Sequence, residues 1–322
     1  MKKILKISTG GTIACKPGPD GLTPALTGEA LVKLLPGLEG SCTVECAELF
    51  SIDSTNIHPN HWQKISRAVA DNYTKYDGFV ITHGTDTMAY TASALSSMLE
   101  NVAKPVVITG SQLPAGAAGT DAEYNLLNSF GVAVSGVPGV HLVFGDRIIS
   151  GRRASKMHTK EFDAFFSINA PCEAYICNGK IEWEALPDFT EGSFELRNGI
   201  EERVALIKLI PGIKPEIISW YIEKGYRGIV IESFGAGGIP DGEGSFMPLL
   251  SEAREKDIIV VCATQCQYDG VNLKAYPMGH HAEKLGVISA GTMTVERAVT
   301  KLMWSLGNSE STEEAKKLFE EE

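Results

Sequence analysis

At 322 residues with 43% hydrophobic side chains, the chain is long enough for two domains or one large one, and apolar enough for a proper core. Its formal charge of −11 argues against nucleic acid as the main partner, since nucleic-acid binders usually carry clustered basic excess. No stretch approaches the roughly 18 apolar residues of a membrane span.

Met1-Lys2-Lys3 could open a signal peptide, but Lys6 and Gly10-Gly11 cut the apolar run short of the roughly 7–15 residues required. A cytoplasmic location is expected. Seven cysteines scattered over this length read as reduced, mostly buried thiols. The C-x3-C pairs Cys42/Cys46 and Cys262/Cys266 fall in strand-like segments without matching histidines, so they are not expected to bind metal.

In chain order, residues 4–8 predict a buried strand. The turn-rich stretch Lys16-Pro17-Gly18-Pro19-Asp20-Gly21 is expected to lack regular structure and to act as a mobile flap. A helix starts near Asn60, with Trp62, Ile65, Val69 and Tyr73 on one face. Residues 78–82, 105–109 and 140–144 read as strands, and a helix from about Thr87 turns Met88, Ala92, Leu95 and Leu99 inward. This alternation predicts an α/β fold, a mostly parallel sheet sandwiched by helices. From 170 to 202 the rhythm breaks. Asn178-Gly179 suggests a hairpin turn, and Pro187 to Gly199 reads as a linker. Strands then recur at 204–210, 228–231, 258–261 and 285–288, followed by helices at about 294–306 and 313–322. The expected organisation is a larger N-terminal α/β domain (1–187), a linker (188–202) and a smaller C-terminal α/β domain (203–322).

Two glycine-flanked stretches, Thr9-Gly10-Gly11-Thr12 and His83-Gly84-Thr85-Asp86-Thr87, each put a threonine where a strand gives way to a loop. Ligands of open parallel sheets collect at such strand ends. Gly11 and Gly84 would let the backbone approach a ligand closely. A hydroxyl nucleophile needs a base and a place for the oxyanion. Turns at Gly10-Gly11 and Gly110-Ser111 could offer N–H donors, Asp86 could hold a substrate ammonium, and Arg147 to Lys160 contains several cations. Taken singly, Thr12 or Thr87 could be no more than a helix cap, Lys156 a solvated surface charge, and His83 a structural histidine.

Residues Thr9–Ala14, Gly78–Leu99 and Lys104–Pro114, continuing through Gly151–Asn169 and Met293–Glu296, resemble the bacterial-type L-asparaginases, most nearly the cytoplasmic type I branch. The resemblance implies hydrolysis of a side-chain amide through an acyl-enzyme on Thr12. Thr85, Asp86 and Lys156 match the assisting hydroxyl–carboxylate–amine group. It further implies that Asp53-Ser54 supplies the serine that binds the substrate α-carboxylate, that Asp86 accepts the α-ammonium, and that Ser111 contacts the amide. It implies no cofactor or metal, and a homodimer or homotetramer acting on the small molecule L-asparagine, without nucleic acid or membrane. An ammonium beside a carboxylate gives up its proton reluctantly. Lys156 therefore reads as a cation supporting Asp86 and developing negative charge, with proton transfer through Thr85 and a water as the other route.

Asparagine and glutamine differ by one methylene, worth about 1–3 kcal/mol of discrimination, so a broader glutaminase-asparaginase is an alternative. An ammonia-producing transamidation subunit would be expected to carry a further N-terminal domain. A non-catalytic amino-acid sensor would not need Thr12, Thr85 and Lys156 together. Many relatives place a tyrosine in the flap where this chain has Leu22. If activation relies on Thr85, Asp86 and Lys156 alone, Leu22→Tyr changes kcat less than tenfold in an ammonia-release assay, and a much larger gain contradicts that route.

Overall fold

The computed structural model describes residues 1–18, 21–38, 40–186 and 192–321, leaving aside the side chains of Pro17, Leu22 and Pro24. The chain divides into two compact units, Met1–Arg197 and Asn198–Glu322.

The first unit is built on an eight-stranded sheet. Its spatial order is Lys180–Trp183, Ala174–Cys177, Arg147–Ser150, Gly139–Phe144, Pro105–Thr109, Gly78–Thr82, Lys2–Gly10 and Cys42–Ile52. The last five of these run parallel, and the first three pair antiparallel. Every residue of Gly78–Thr82 and Pro105–Thr109 is buried. Neighbouring side chains such as Val80 and Ile81 point to opposite faces, so both faces of the sheet are covered. That explains why these strands read as unbroken apolar runs. Helices Gly28–Lys33 and Ala122–Ser135 share one apolar cluster with Ile4, Val80 and Val107. Helices Pro59–Asn72 and Met88–Met98 pack against each other, with Met88, Ala92 and Leu95 fully buried.

The second unit holds a four-stranded parallel sheet, Val204–Lys208, Gly228–Ser233, Ile259–Thr264 and Ile288–Ser289, in chain order. One apolar cluster collects Ile229, Ile231 and Cys262, and a second collects Val230, Val261 and Phe319. Thr294 caps helix Val295–Gly307 by accepting a hydrogen bond from Arg297 N at 3.0 Å. The mostly parallel α/β sheet and smaller parallel α/β unit agree with the fold class expected from the sequence.

Several local expectations need correction. Residues 15–24 are not free of regular structure: Cys15–Gly18 and Gly21–Pro24 form an antiparallel hairpin. Pro17 is tolerated because a two-stranded ladder has only edge strands, where a missing N–H can face outward. Pro19 and Asp20 of the expected flap, and the side chain of Leu22, lie outside the described residues. The helix expected at Asn60 starts at Pro59, with His58 N donating to His61 Nδ1 at 2.9 Å; proline suits a first helical position. Of the expected linker, residues 188–191 lie outside the described part. Glu195–Leu196, however, pairs with Leu99–Glu100, and Phe194 stacks on Tyr73 with ring centroids 3.9 Å apart. Leu285 and Gly286 close helix Pro277–Lys284 and precede the last strand, with Gly286 at φ 90°.

One buried side chain braces the loop after Pro105–Thr109. Asn125 donates to Gly110 O and to Asp121 Oδ2, both at 3.0 Å, and accepts from Gly145 N at 2.9 Å. Losing it would strand buried polar partners, at about 1–3 kcal/mol for each. Asn125→Ala is expected to lower unfolding free energy by about 2 kcal/mol or more in urea titration.

Candidate active site

Numbered along the chain, the five parallel strands lie in the order 2-1-3-4-5. Strand order reverses between Lys2–Gly10 and Gly78–Thr82, where open α/β sheets bind ligands. Thr12 follows the first of these strands and Thr85 the second. Asp53-Ser54 and Gly110-Ser111 leave the strands on either side. The four segments singled out in the sequence therefore emerge side by side at one sheet edge.

Glycine is what allows this crowding. Gly10 has φ 103° and Gly11 φ 85°, a region that L side chains rarely adopt. A Cβ on Gly10 would run into the backbone of Ile52, and one on Gly11 into the backbone of Gly84. A Cβ on Gly84 would strike the Ser54 side chain. The first strand thus turns through a gap of backbone width, and half-buried Thr12 opens the short 3-10 turn Thr12–Ala14. The Gly11 amide is consumed, donating to Ile52 O at 3.2 Å.

Lys156 ends the strand Ala154–Lys156. Its Nζ donates to Thr85 Oγ1 at 2.8 Å and to Asp86 Oδ1 at 2.6 Å. The Lys156 side chain is largely buried while that of Asp86 is more than half exposed, so the ion pair faces outward through its carboxylate. Ser54 is buried, and its Oγ accepts from Asp86 N at 3.3 Å. The Ser54 carbonyl accepts from Thr87 Oγ1 at 2.8 Å. Asp53 serves its own turn, where Oδ1 accepts from Thr55 N and Thr55 Oγ1, both at 2.8 Å, and caps Ser54–Asn56. Ser111 is 1% exposed and gives its hydroxyl proton to Leu113 O at 2.5 Å. Among the described residues, no group of three His, Cys, Asp or Glu side chains could hold a metal ion.

Residues 3–188 match the asparaginase N-terminal family, and residues 203–319 match the glutaminase/asparaginase C-terminal domain. The chain belongs to the asparaginase family. It is 40% identical to an L-asparaginase of Thermococcus kodakarensis over 99% of its own length and 97% of that protein. A solved structure, the thermostable L-asparaginase from that organism, matches with a TM-score of 0.94 over 99% of this chain and 97% of the other. L-asparaginase I from Vibrio cholerae matches with a TM-score of 0.89 at 35% identity, over 100% and 97% of the two chains. One subunit of the glutamyl-tRNA(Gln) amidotransferase of Pyrococcus abyssi is also 40% identical, over 99% of this chain and 75% of that protein.

Two supporting features escaped the sequence reading. Gln112 accepts from Thr85 Oγ1 at 3.4 Å, donates through Nε2 to Glu161 O at 2.9 Å, and has its amide held by the Asp121 carboxylate. Nothing in the sequence pairs residues 85, 112 and 161. The second feature is a directional chain behind the site. Trp62 Nε1 donates to Thr91 Oγ1 at 3.0 Å, and Thr91 Oγ1 lies 2.9 Å from His83 Nε2. His83 Nδ1 lies 2.7 Å from Gly84 O. A carbonyl can only accept, so Nδ1 carries the proton and Nε2 accepts from the threonine. His83 is structural, fixing the Gly84 carbonyl beside Thr85.

Complete burial pushes His83 down to about 4. A histidine lowered in the folded state binds its proton first in the unfolded one. Stability is then complete above about pH 6.5 and drains away as pH falls toward 4, by roughly 3 kcal/mol for this residue. His83→Gln is expected to flatten that slope in urea titrations between pH 4 and 6.5.

Proposed function

We propose that the chain is an L-asparaginase that converts L-asparagine to L-aspartate and ammonia through an acyl-enzyme on Thr12. The observation that carries this reading is the Lys156 ammonium bonded to both Thr85 and Asp86, in the turn that follows the strand next to the one leading to Thr12. Thr12 Oγ attacks the carboxamide carbon, the C–N bond breaks, and ammonia departs with the threonine proton. Water then cleaves the ester, releasing aspartate and restoring the hydroxyl. The Thr12 hydroxyl makes no hydrogen bond to a described residue, which suits a group that must turn toward substrate.

The roles divide by charge. Lys156, paired to a carboxylate, acts as a fixed cation that steadies Asp86 and the negative charge developing near Thr85. Thr85, bonded to Lys156 and Gln112, is placed to pass a proton by way of a water. The exposed side of the Asp86 carboxylate receives the substrate α-ammonium. Ser54 keeps its own hydroxyl proton for the α-carboxylate, with Asp53 holding that turn in place. Gly11 and Gly84 form the close backbone floor, and Ser111 offers its backbone to the carboxamide. Apart from water, no group outside the chain is needed for these steps. A cytoplasmic homodimer or homotetramer is part of the same proposal.

The relatives that are amidotransferase subunits support a second reading, in which glutamine is the ammonia source. A single assay addresses both. The purified chain is expected to release ammonia from L-asparagine at least tenfold faster, in kcat/KM, than from L-glutamine, and Thr12→Ala is expected to lose more than a thousandfold in kcat. Preference for glutamine would favour the second reading. Ligand-induced thermal stabilisation without turnover of either amide would overturn both.

A further inference from the structure

Lys6 sits on the first strand with none of its surface exposed, between apolar Ile4 and the Gly10-Gly11 turn. Among the described residues no carboxylate forms an ion pair with it. Its Nζ donates instead to two hydroxyls, Ser8 Oγ at 2.8 Å and Thr82 Oγ1 at 3.3 Å. Ser8 passes its own proton to Glu48 Oε1 at 3.1 Å, an oxygen that also accepts from Gly28 N at 2.5 Å. Burying an ammonium with no carboxylate in direct contact is costly, and an apolar side chain of similar length would fill the space without that cost.

The placement of those hydroxyls gives the ammonium a purpose. Ser8 and Thr82 face each other as the last paired rung of strands Lys2–Gly10 and Gly78–Thr82. Ser8 also faces Glu48 in the last regular rung before strand Cys42–Ile52 slips register. Beyond this three-strand rung the first strand stays close to both neighbours, Gly10 pairing with Ile52 and Gly11 lying against Gly84, before the chain reaches Thr12, Thr85 and Ser54. Thr9 Oγ1 adds a bond to Thr82 O at 2.8 Å.

We infer that Lys6 is a positioning residue, whose ammonium locks the Glu48–Ser8–Thr82 rung so that the turns carrying Thr12 and Thr85 leave the sheet at a fixed separation. This rests on the reading of Thr12 as nucleophile. Burial lowers Lys6 to about 8, against the raising influence of Cys46 and Glu48 on the neighbouring strand. Glu29, from helix Gly28–Lys33, acts in turn on Cys46. The folded value lies below that of free lysine, so the lock is charged at neutral pH, half charged near pH 8 and lost above it.

The test compares the full-length wild type with Lys6→Met. At pH 7 the variant is expected to lose at least tenfold in kcat for L-asparagine while KM stays within threefold. Its melting temperature should hold or rise, because a buried charge has gone. The deficit should narrow to threefold or less by pH 9.5, where the wild-type lysine is neutral. Backbone hydrogen exchange over residues 9–13 and 83–87, which needs no turnover, should quicken at least tenfold. Thr82→Val, which keeps the lysine but removes one acceptor, should show a smaller loss of the same kind and decides the matter if Lys6→Met does not fold. Wild-type kcat in the variants, or a loss that tracks melting temperature and is equal at both pH values, overturns the proposal. Unchanged exchange at the two turns overturns it as well. If the wild type shows no Thr12-dependent ammonia release, the functional reading fails instead, and the exchange measurement still decides the positioning role.

Discussion

Gly11 lies against Gly84 so closely that a side chain on Gly11 would collide with the other's backbone. That contact sets the spacing of everything chemical around it. Thr12 follows one glycine and Thr85 the other, in turns just past strands that are direct neighbours in the sheet. The Ser54 side chain is pressed onto Gly84 as well and shares the same floor. Added width at any of these positions would push apart the turns that carry Thr12, Thr85 and Ser54. Backbone, more than side chain, forms the base of the site.

The charges around this floor are arranged in two ways. Lys156 is largely buried but has a carboxylate partner whose other side faces outward, so its cost of burial is offset by the Asp86 ion pair. Lys6 is enclosed and satisfied only by hydroxyls, on the same strands but below the turns. His83 lies between these extremes: neutral, fully buried, and locked into one tautomer by Thr91 and the Gly84 carbonyl. Together these groups fix the backbone of both turns from several sides. Such preorganisation lets donors and charges meet developing charge without rearrangement.

Strands Gly78–Thr82 and Pro105–Thr109 could be read from sequence because both faces are buried, leaving continuous apolar runs with clear ends. The hairpin at Asn178-Gly179 could be read as well, since both residues take positive φ and short turns of that kind select this pair. Residues 16–18 and 21 misled because proline and glycine punctuate turns and are also tolerated in a two-stranded ladder, which has only edges. Leu196 misled because a two-residue strand has no period, and only its partner Leu99 reveals it.

By itself, the sequence determined the alternation of strands and helices, the glycine turns, and which residue types could attack an amide. These properties are local, carried by hydrophobic period and backbone freedom. Tertiary structure decided what those residues touch. It joined Lys156 to Thr85 across 71 positions, turned Asp53 into a cap, and spent the Ser111 hydroxyl on Leu113. It also placed Gln112 and Lys6 in the network. The physical reason is that a hydrogen bond depends on distance and direction in space, and strand order, not chain order, sets both.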